Sequence, residues 1–418
     1  DIDKLSALMA QFPQGRALVI GAGFIGLEVT EALTMRGIKV TQVDLASQIL
    51  PPLDPEIAAA GAERMRAKGV ALKLGVKVER FEHAAAGGGA SNAVLSDGQK
   101  IPFDFAVLSI GVAPDTSLAK AAGLTLGATG GVVVNAAQQT SDPVIFAAGD
   151  VTELLYWPTQ TRQKLALAGP ANKQARVAGA NAATERGELQ TTGAAGTSIV
   201  RLFGLALGMT GLSEKACLAQ KIPYRVAYTQ NNHHAGYFPG ALPLFIKLVF
   251  SPTDGRVLGG QVFGPEQAGV DKRLDVLATA LQARFTVDQV AELDLAYAPP
   301  FGAAKDPVII AGMVASNIFH GRTHTITPRE LAAELGSSQP PLVVDVRTAK
   351  EYAAGQIAGA VNLPVDTLRD QLSQLPTDRS LVIHCAVGYR GYVAERILRQ
   401  QGWTQVRNLT GGYRAWSL

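Results

Sequence analysis

The spacing of apolar and polar positions changes character along the chain. Over the first 115 residues, short apolar runs alternate with longer amphipathic stretches. Residues 16–20 and 39–44 read as strands, and 24–36 and 55–68 as helices. Short β segments follow. Among them the Ala/Gly run 84–90 reads as a hairpin tip before a strand at 92–95 and the turn Ser96-Asp97-Gly98. A buried strand is expected over 105–110. This alternation predicts a parallel, doubly wound sheet. Residues 116–197 carry expected strands at 131–134 and 144–147 and a helix over about 170–185. From 198 to about 322 the pattern becomes antiparallel, with strands at 199–203, 224–229, 244–250 and 257–263. Helices are expected near 269–283 and 286–293. A third pattern starts after Gly321, where Thr327-Pro328 supplies an N-cap and a first-turn proline. Boundaries are therefore expected near 115, 197 and 323.

Composition narrows the classes. At about 150 residues per domain, 418 residues imply roughly three domains. Apolar residues make up 47% and charged residues 17%, enough for several cores and against long disorder. The 38 Lys and Arg against 35 Asp and Glu leave a charge of +3 with no basic block. No nucleic-acid partner and no membrane surface is expected. The longest apolar stretch, 241–250, is broken by Pro243 and Lys247. Nothing approaches the roughly 18 apolar residues of a spanning helix. Two cysteines, Cys217 and Cys385, form no disulfide framework and fit a reducing, cytoplasmic setting. The chain begins at Asp1 with neither initiator Met nor signal-peptide pattern, and it reads as processed or partial.

The strongest local chemistry is Gly21-Ala22-Gly23-Phe24-Ile25-Gly26, which follows an expected strand and opens an expected helix. Gly21 permits the tight turn, Gly23 lets backbone approach a pyrophosphate, and Gly26 allows helix to pack on strand. The helix N-terminus adds unpaired N–H groups and partial positive charge. Asp44 ends the next strand, 18 residues after Gly26, where an acid accepts a ribose 2′-hydroxyl hydrogen bond. A carboxylate there repels a 2′-phosphate, and no Arg follows over 45–50. Dinucleotide binding is expected, with NADH favoured over NADPH.

With Leu27 and Glu28 added, this motif resembles the NAD-binding signature of the pyridine nucleotide-disulfide oxidoreductases. The resemblance places Glu28 close to the nicotinamide. Ile110-Gly111-Val112-Ala113-Pro114 resembles that family's strand end beside the nicotinamide nucleotide. The run from Thr140 to Asp150, ending Ala147-Ala148-Gly149-Asp150, resembles its second FAD-contacting motif. The resemblance implies that Asp150, after Gly149, binds a ribityl hydroxyl of FAD. It also implies that the helix from Pro170 aims its N-terminus at the flavin. Within the family, His234-Ala235-Gly236-Tyr237-Phe238-Pro239-Gly240 and Tyr297-Ala298-Pro299-Pro300-Phe301 resemble the tyrosine motifs of the coenzyme A-disulfide reductase group. There the matching tyrosines reach across a homodimer to the thiol/disulfide site, which makes Tyr237 and Tyr297 candidate acids or hydrogen-bond donors to sulfur. Residues 198–322 resemble the family's dimerisation domain, and 1–115 and 116–197 its NAD(P)H-binding domain and the C-terminal part of its FAD-binding domain.

The family's N-terminal FAD half, with a first glycine-rich turn and a single redox cysteine, has no counterpart in these residues. Only one GxGxxG is present, and neither Cys217 nor Cys385 stands in the redox position. Cys217 reads as a packed thiol in a helical stretch over 213–220. His233-His234 and the pair His320 and His324 lack a third ligand at metal spacing and are expected in solvated loops, with no metal site.

Residues 323–418 resemble a single rhodanese domain, through Asp345-Val346-Arg347, Glu351-Tyr352, the run from Gly355 to Pro364, and Asn408-Leu409-Thr410-Gly411-Gly412-Tyr413. Family members usually carry His where Gln356 stands. The chemistry sits at His384-Cys385-Ala386-Val387-Gly388-Tyr389-Arg390-Gly391, between a strand over 381–384 and a helix over 392–400. A cysteine at such a junction sees backbone N–H groups and a helix dipole, which stabilise a thiolate or persulfide anion. Arg390 is placed to clamp an anionic donor such as thiosulfate. A cysteine phosphatase would need one residue more in this loop; a binding-only module remains an alternative.

The fold class expected is thus α/β: Rossmann-like and partial FAD-binding regions, an α+β dimerisation region and an α/β rhodanese region. The implied function is FAD- and NADH-dependent reduction of a coenzyme A disulfide, CoA persulfide or polysulfide, coupled to transfer of sulfane sulfur through a Cys385 persulfide. Alternatives are a flavin NADH oxidase or peroxidase with a rhodanese attached, and a truncated scaffold that retains only sulfur transfer.

Overall fold

A computed structural model describes residues 2–83, 91–184 and 188–418. It divides into two compact units at residue 212. The first unit is built on the strand Arg16–Ile20. Ala17, Leu18 and Val19 are fully buried because strands flank it on both sides. Ala71–Leu74, Lys39–Asp44, Arg16–Ile20 and Phe105–Leu108 lie in that order, all parallel. Gly23, in extended conformation, starts the helix Phe24–Met35, and Gly37 at φ +83° lets the chain turn back to the next strand. The strands Val78–Glu82, Ser91–Leu95 and Lys100–Phe103 form an antiparallel meander. The Ala/Gly run 84–90 itself lies outside the described residues, as does the expected end of the later helix at Glu185. That helix runs Ala168–Thr184.

Two expectations in this unit need correction. The strand over 105–110 stops at Leu108 and is fully buried only at Phe105. It pairs on one side only, and Leu108 and Ile110 are exposed. Residues 144–147 are not a strand. Asp142-Pro143 starts a turn closed by Ile145 N–H on Asp142 O, and Asp142 Oδ1 takes the Val144 N–H. Only Phe146 keeps a bridge, to Gln139, and Val144 is 81% exposed. Turn chemistry overrides β propensity here. A hairpin partner for Ser198–Leu202, the strand Leu205–Gly211, was not expected.

The second unit opens on an antiparallel meander, Arg225–Asn232, Pro243–Phe250 and Val257–Pro265. Val270–Gln282 and Pro307–Phe319 pack against it; the second helix was not anticipated. Lys247, inside the apolar strand, is fully buried and pairs with Glu214 at 2.7 Å, with Tyr228 beneath it. A five-stranded parallel sheet follows, in the order Thr325–Ile326, Val406–Leu409, Leu381–His384, Leu342–Asp345, Val361–Asn362. Its entry helix Pro328–Leu335 carries the expected N-cap as a capping box, Thr327 with Glu330. Leu381–His384 is central and wholly buried, which fixes where the next loop emerges. No helix among the described residues is long and apolar enough to cross a membrane.

Candidate functional site

Four places hold the residues singled out by sequence. The first is the glycine turn. Gly21 sits at φ +105°, and a Cβ there would stand 2.3 Å from Ser109 O. A Cβ on Gly26 would stand 1.9 Å from Gly21 O. Gly23 is different: a Cβ on it would meet nothing within 4 Å, so its backbone faces open space where a ligand can approach. The helix start makes no side-chain cap, leaving N–H groups free for an anion. Asp44 accepts the Ala22 N–H on Oδ2 and the Ala46 N–H on Oδ1 (2.7 Å). It therefore braces the turn while keeping lone pairs for a hydroxyl. Glu28 and Ile25 are exposed on the same helix, with Phe24 half-buried. Gly111, at φ +105°, also borders open space. Sequence reading missed Gln42, fully buried, whose amide donates to Gly21 O at 2.6 Å and accepts from Thr30. A polar residue in an otherwise apolar strand was the available signal.

The second place is Gly149-Asp150. Gly149 (φ +83°) donates its N–H to Gln174 Oε1 at 3.0 Å, and Gln174 Nε2 donates to Thr152. The helix Ala168–Thr184 thus holds this turn from behind. Asp150 is exposed, and its carboxylate makes no hydrogen bond to any described residue. An acceptor presented in this way fits a polyol hydroxyl of a flavin nucleotide.

The third is a tyrosine pair. Tyr237 and Tyr297 are exposed, and their hydroxyls meet at 3.4 Å. The Tyr237 hydroxyl holds Tyr297 above its ordinary pKa. A buried brace sets their loops. Arg273 donates to Asp306 Oδ2 (2.8 Å) and to His233 O, while Ala235 N–H donates to Gly302 O (2.9 Å). His233-His234 is therefore not a solvated loop. His234 is 5% exposed and packs edge-on against Phe238, and His233 Nδ1 accepts the Leu242 N–H at 3.0 Å. Burial pushes His233 below its ordinary pKa. His320 also has a partner, Asp288, at 2.9 Å.

The fourth is the Cys385 loop. Gly388, at φ +110°, turns the chain into the helix Tyr389–Gln400 and donates its N–H to Cys385 Sγ at 3.1 Å. That bond favours the sulfur anion. The closing segment stitches the loop from behind. Tyr413 N–H donates to Cys385 O (2.7 Å), Arg414 N–H to Ala386 O (3.0 Å), and Asn408 Nδ2 to Gly388 O (3.1 Å). A Cβ on Gly412 would stand 2.5 Å from Cys385 O, and one on Gly391 2.3 Å from Asn408 Oδ1. Arg390 is bound through both terminal nitrogens to Glu351, at 2.8 and 2.6 Å. The Glu351 carboxylate, and after the opposing effect of burial the Cys385 sulfur, raise Arg390 further above its ordinary pKa. Sequence reading did not foresee Glu351 as Arg390's partner. Beneath the loop, His384 is fully buried, 3.6 Å from Asp345, and burial lowers its pKa. Asp345 is held by Arg347 at 2.6 Å. A cleft of about 570 Å³ adjoins the loop, lined among others by Ala386, Glu351, Arg347, Tyr413, Arg414 and Phe245. Cys217, by contrast, is packed in the helix Glu214–Gln220.

Known proteins resemble this chain. Residues 1–184 match the pyridine nucleotide-disulphide oxidoreductase family, 197–307 its dimerisation domain, and 327–418 the rhodanese-like domain. The NAD(P)H sulfur oxidoreductase (CoA-dependent) of Pyrococcus furiosus is 34% identical over 298 residues, 71% of this chain and 65% of that protein. The chain thus spans somewhat less than two thirds of that relative. The crystal structure of reduced Bacillus anthracis CoADR-RHD is similar with a TM-score of 0.93 at 41% identity, covering 99% of this chain and 72% of that one. A NAD-dependent persulfide reductase from A. fulgidus gives 0.88 at 33% identity, covering 99% and 74%.

Proposed function

Because the chain belongs to the pyridine nucleotide-disulphide oxidoreductase family, we propose that it works in NADH- and FAD-dependent reduction of a coenzyme A disulfide, CoA persulfide or polysulfide. Transfer of sulfane sulfur through Cys385 is the second half of that reading. It is supported by the similar proteins named for CoA-dependent sulfur reduction and persulfide reduction. The division into 1–115, 116–197, 198–322 and 323–418, a homodimer built through 198–322, and a cytoplasmic location belong to the same reading.

The roles are those that the family resemblance implies, and the geometry supports them. Gly21, Gly23 and Gly26 shape the pyrophosphate seat, and the start of the helix at Phe24 and Ile25 supplies its N–H groups. Asp44 accepts the ribose hydroxyl and disfavours NADPH. Glu28 and Gly111 border the nicotinamide end. Gly149 and Asp150 hold the flavin's polyol chain. The chemistry supplied by bound FAD is acceptance of hydride from NADH and delivery of an electron pair to sulfur. Tyr237 and Tyr297 donate hydrogen bonds to the sulfur anion released by that reduction. Cys385 attacks a sulfane sulfur and carries it as a persulfide, stabilised by the Gly388 N–H and with Arg390 beside it.

The observation that carries the reductase reading is the meeting of two tyrosine hydroxyls from segments sixty residues apart. The test is the visible spectrum of the purified protein before and after NADH, followed by sulfide release from CoA persulfide. In the protein with the family's FAD half present, a flavin band that bleaches, with sulfide release lowered roughly tenfold or more by Tyr237→Phe with Tyr297→Phe, is expected. Oxygen consumption that is indifferent to CoA persulfide and to these tyrosines would contradict the reading in favour of an oxidase.

A further inference from the structure

The Arg390 fork is filled before any sulfur donor arrives. Its two terminal nitrogens reach the two oxygens of Glu351 at 2.8 and 2.6 Å. This is the geometry with which an arginine grips a tetrahedral oxyanion. Glu351 is fixed in that position. It is the third residue of the helix Ala349–Ala353, and Oε2 also accepts the Thr348 N–H (3.0 Å) and hydroxyl (2.9 Å) in a capping box. Arg390 beside it holds its carboxyl down at about 2, so it stays ionised at any working pH.

The remaining charges around the loop are also matched. Arg347 is neutralised by Asp345, and burial favours neutral His384. Among the cations lining the adjoining cleft, Arg414 alone has no ion pair with a described residue. The site therefore offers backbone N–H groups in the loop and one unmatched positive charge, Arg414, on the wall of the cleft. A donor with one negative charge is accommodated; a second negative charge meets the Glu351 carboxylate where it needs a cation.

We infer that Glu351 is the specificity-determining residue of the Cys385 site, selecting neutral or singly charged organic persulfides over dianionic donors such as thiosulfate. The inference rests on the reading of Cys385 as a sulfur acceptor. With an organic persulfide R–S–SH, the Cys385 thiolate attacks the terminal sulfur. The Cys385 S–S bond forms, the donor S–S bond breaks, and R–S⁻ leaves while the proton stays on the transferred sulfur. No oxidant or reductant enters. With thiosulfate the same attack expels sulfite, and all three negative charges gather at a loop whose arginine is already engaged. The apolar wall contributed to the cleft by Phe245, Phe263 and Tyr413 suits an organic arm and gives thiosulfate nothing.

The test loads the full chain separately with cysteine persulfide, which is neutral or singly charged, and with thiosulfate, and follows the gain of one sulfur atom on Cys385 by peptide mass. Glu351→Gln removes the charge but keeps the capping box, since Gln serves at that position. It is expected to raise the thiosulfate loading rate roughly tenfold relative to the persulfide rate, the scale of one partly screened charge at close range. Glu351→Asp keeps the charge and is expected to leave the ratio within about twofold of the parent. A Glu351→Gln chain in which both rates fall together would overturn the inference and make Glu351 a support for Arg390 alone. Should neither donor load Cys385 in the parent chain, the sulfur-transfer reading itself falls, and this inference with it.

Discussion

The chain uses one device twice, a buried parallel strand that ends in a turn and opens a helix, and the two copies differ in what they leave open. Gly21 and Gly388 both turn the chain at positive φ, +105° and +110°, Gly21 at the strand's end and Gly388 at the start of the helix. Gly26 and Gly391 both lie in the first turn of the helix, where a Cβ would collide with polar atoms. Neither helix has a side-chain cap. At the first turn nothing lies within 4 Å of a Cβ on Gly23. The helix N-terminus there faces space that an outside anion has to fill. At the second, the acceptor belongs to the chain: Cys385 Sγ takes the Gly388 N–H, and the segment from Asn408 to Arg414 closes the loop from behind. An N-terminus awaiting phosphate is left open and smooth. One that holds its own sulfur is packed until the sulfur is buried.

The comparison can be broken at its strongest point first. Cys385→Ser should abolish persulfide-dependent sulfur transfer, a loss of at least about a thousandfold, and leave NADH binding within about twofold of the parent; sulfur-transfer kinetics and an NADH titration check both halves. The two glycines of the nucleotide turn should then separate. Gly26→Ala pushes a methyl onto Gly21 O and should cost at least about 2 kcal/mol of stability in denaturant unfolding. Gly23→Ala has room and should cost well under about 1 kcal/mol, yet weaken NADH binding roughly tenfold by standing where the pyrophosphate approaches. Asp44→Asn should lower NADH affinity a few-fold and narrow the preference over NADPH, read by titrating both nucleotides.

The smallest effect is in pH. Arg390, and then Thr348, lower Glu351 from 4.5 to about 2 in the folded chain. As pH falls through that window, the unfolded chain binds this proton first, so the contribution of Glu351 to stability is present above about pH 4.5 and lost towards pH 2. Acid unfolding of Glu351→Gln should therefore show a shallower dependence over the same range.

Much of this arrangement is legible from residue order alone, because both turns are local. Strand, glycine, helix and cysteine follow one another within about ten residues, and periodicity and turn chemistry place them. Arg16–Ile20, Lys39–Asp44 and Leu381–His384 were placed to the residue on that basis. What stayed hidden is long-range. Glu351 reaches Arg390 from thirty-nine residues away, and Gln42 is twenty-one from the Gly21 carbonyl it binds. Arg273 supports the Tyr237 loop from a helix forty residues beyond His233. Short-range patterns carry no record of such pairs. The same limit explains His234, read as solvated for want of a third ligand at metal spacing but buried in a loop that Arg273 and Gly302 hold from far along the chain. Residues 144–147 failed for the opposite reason: an apolar run looked like a strand, and the Asp142-Pro143 turn took its hydrogen bonds.

Cys217 and Cys385 are almost equally buried, at 0% and 1% exposed. Burial alone would make both inert, so only the loop distinguishes them. The most direct test of the account is therefore a peptide mass map of the full chain after brief exposure to polysulfide. The account predicts one added sulfur atom on Cys385 and none on Cys217. Added sulfur on Cys217, or on neither residue, would contradict it.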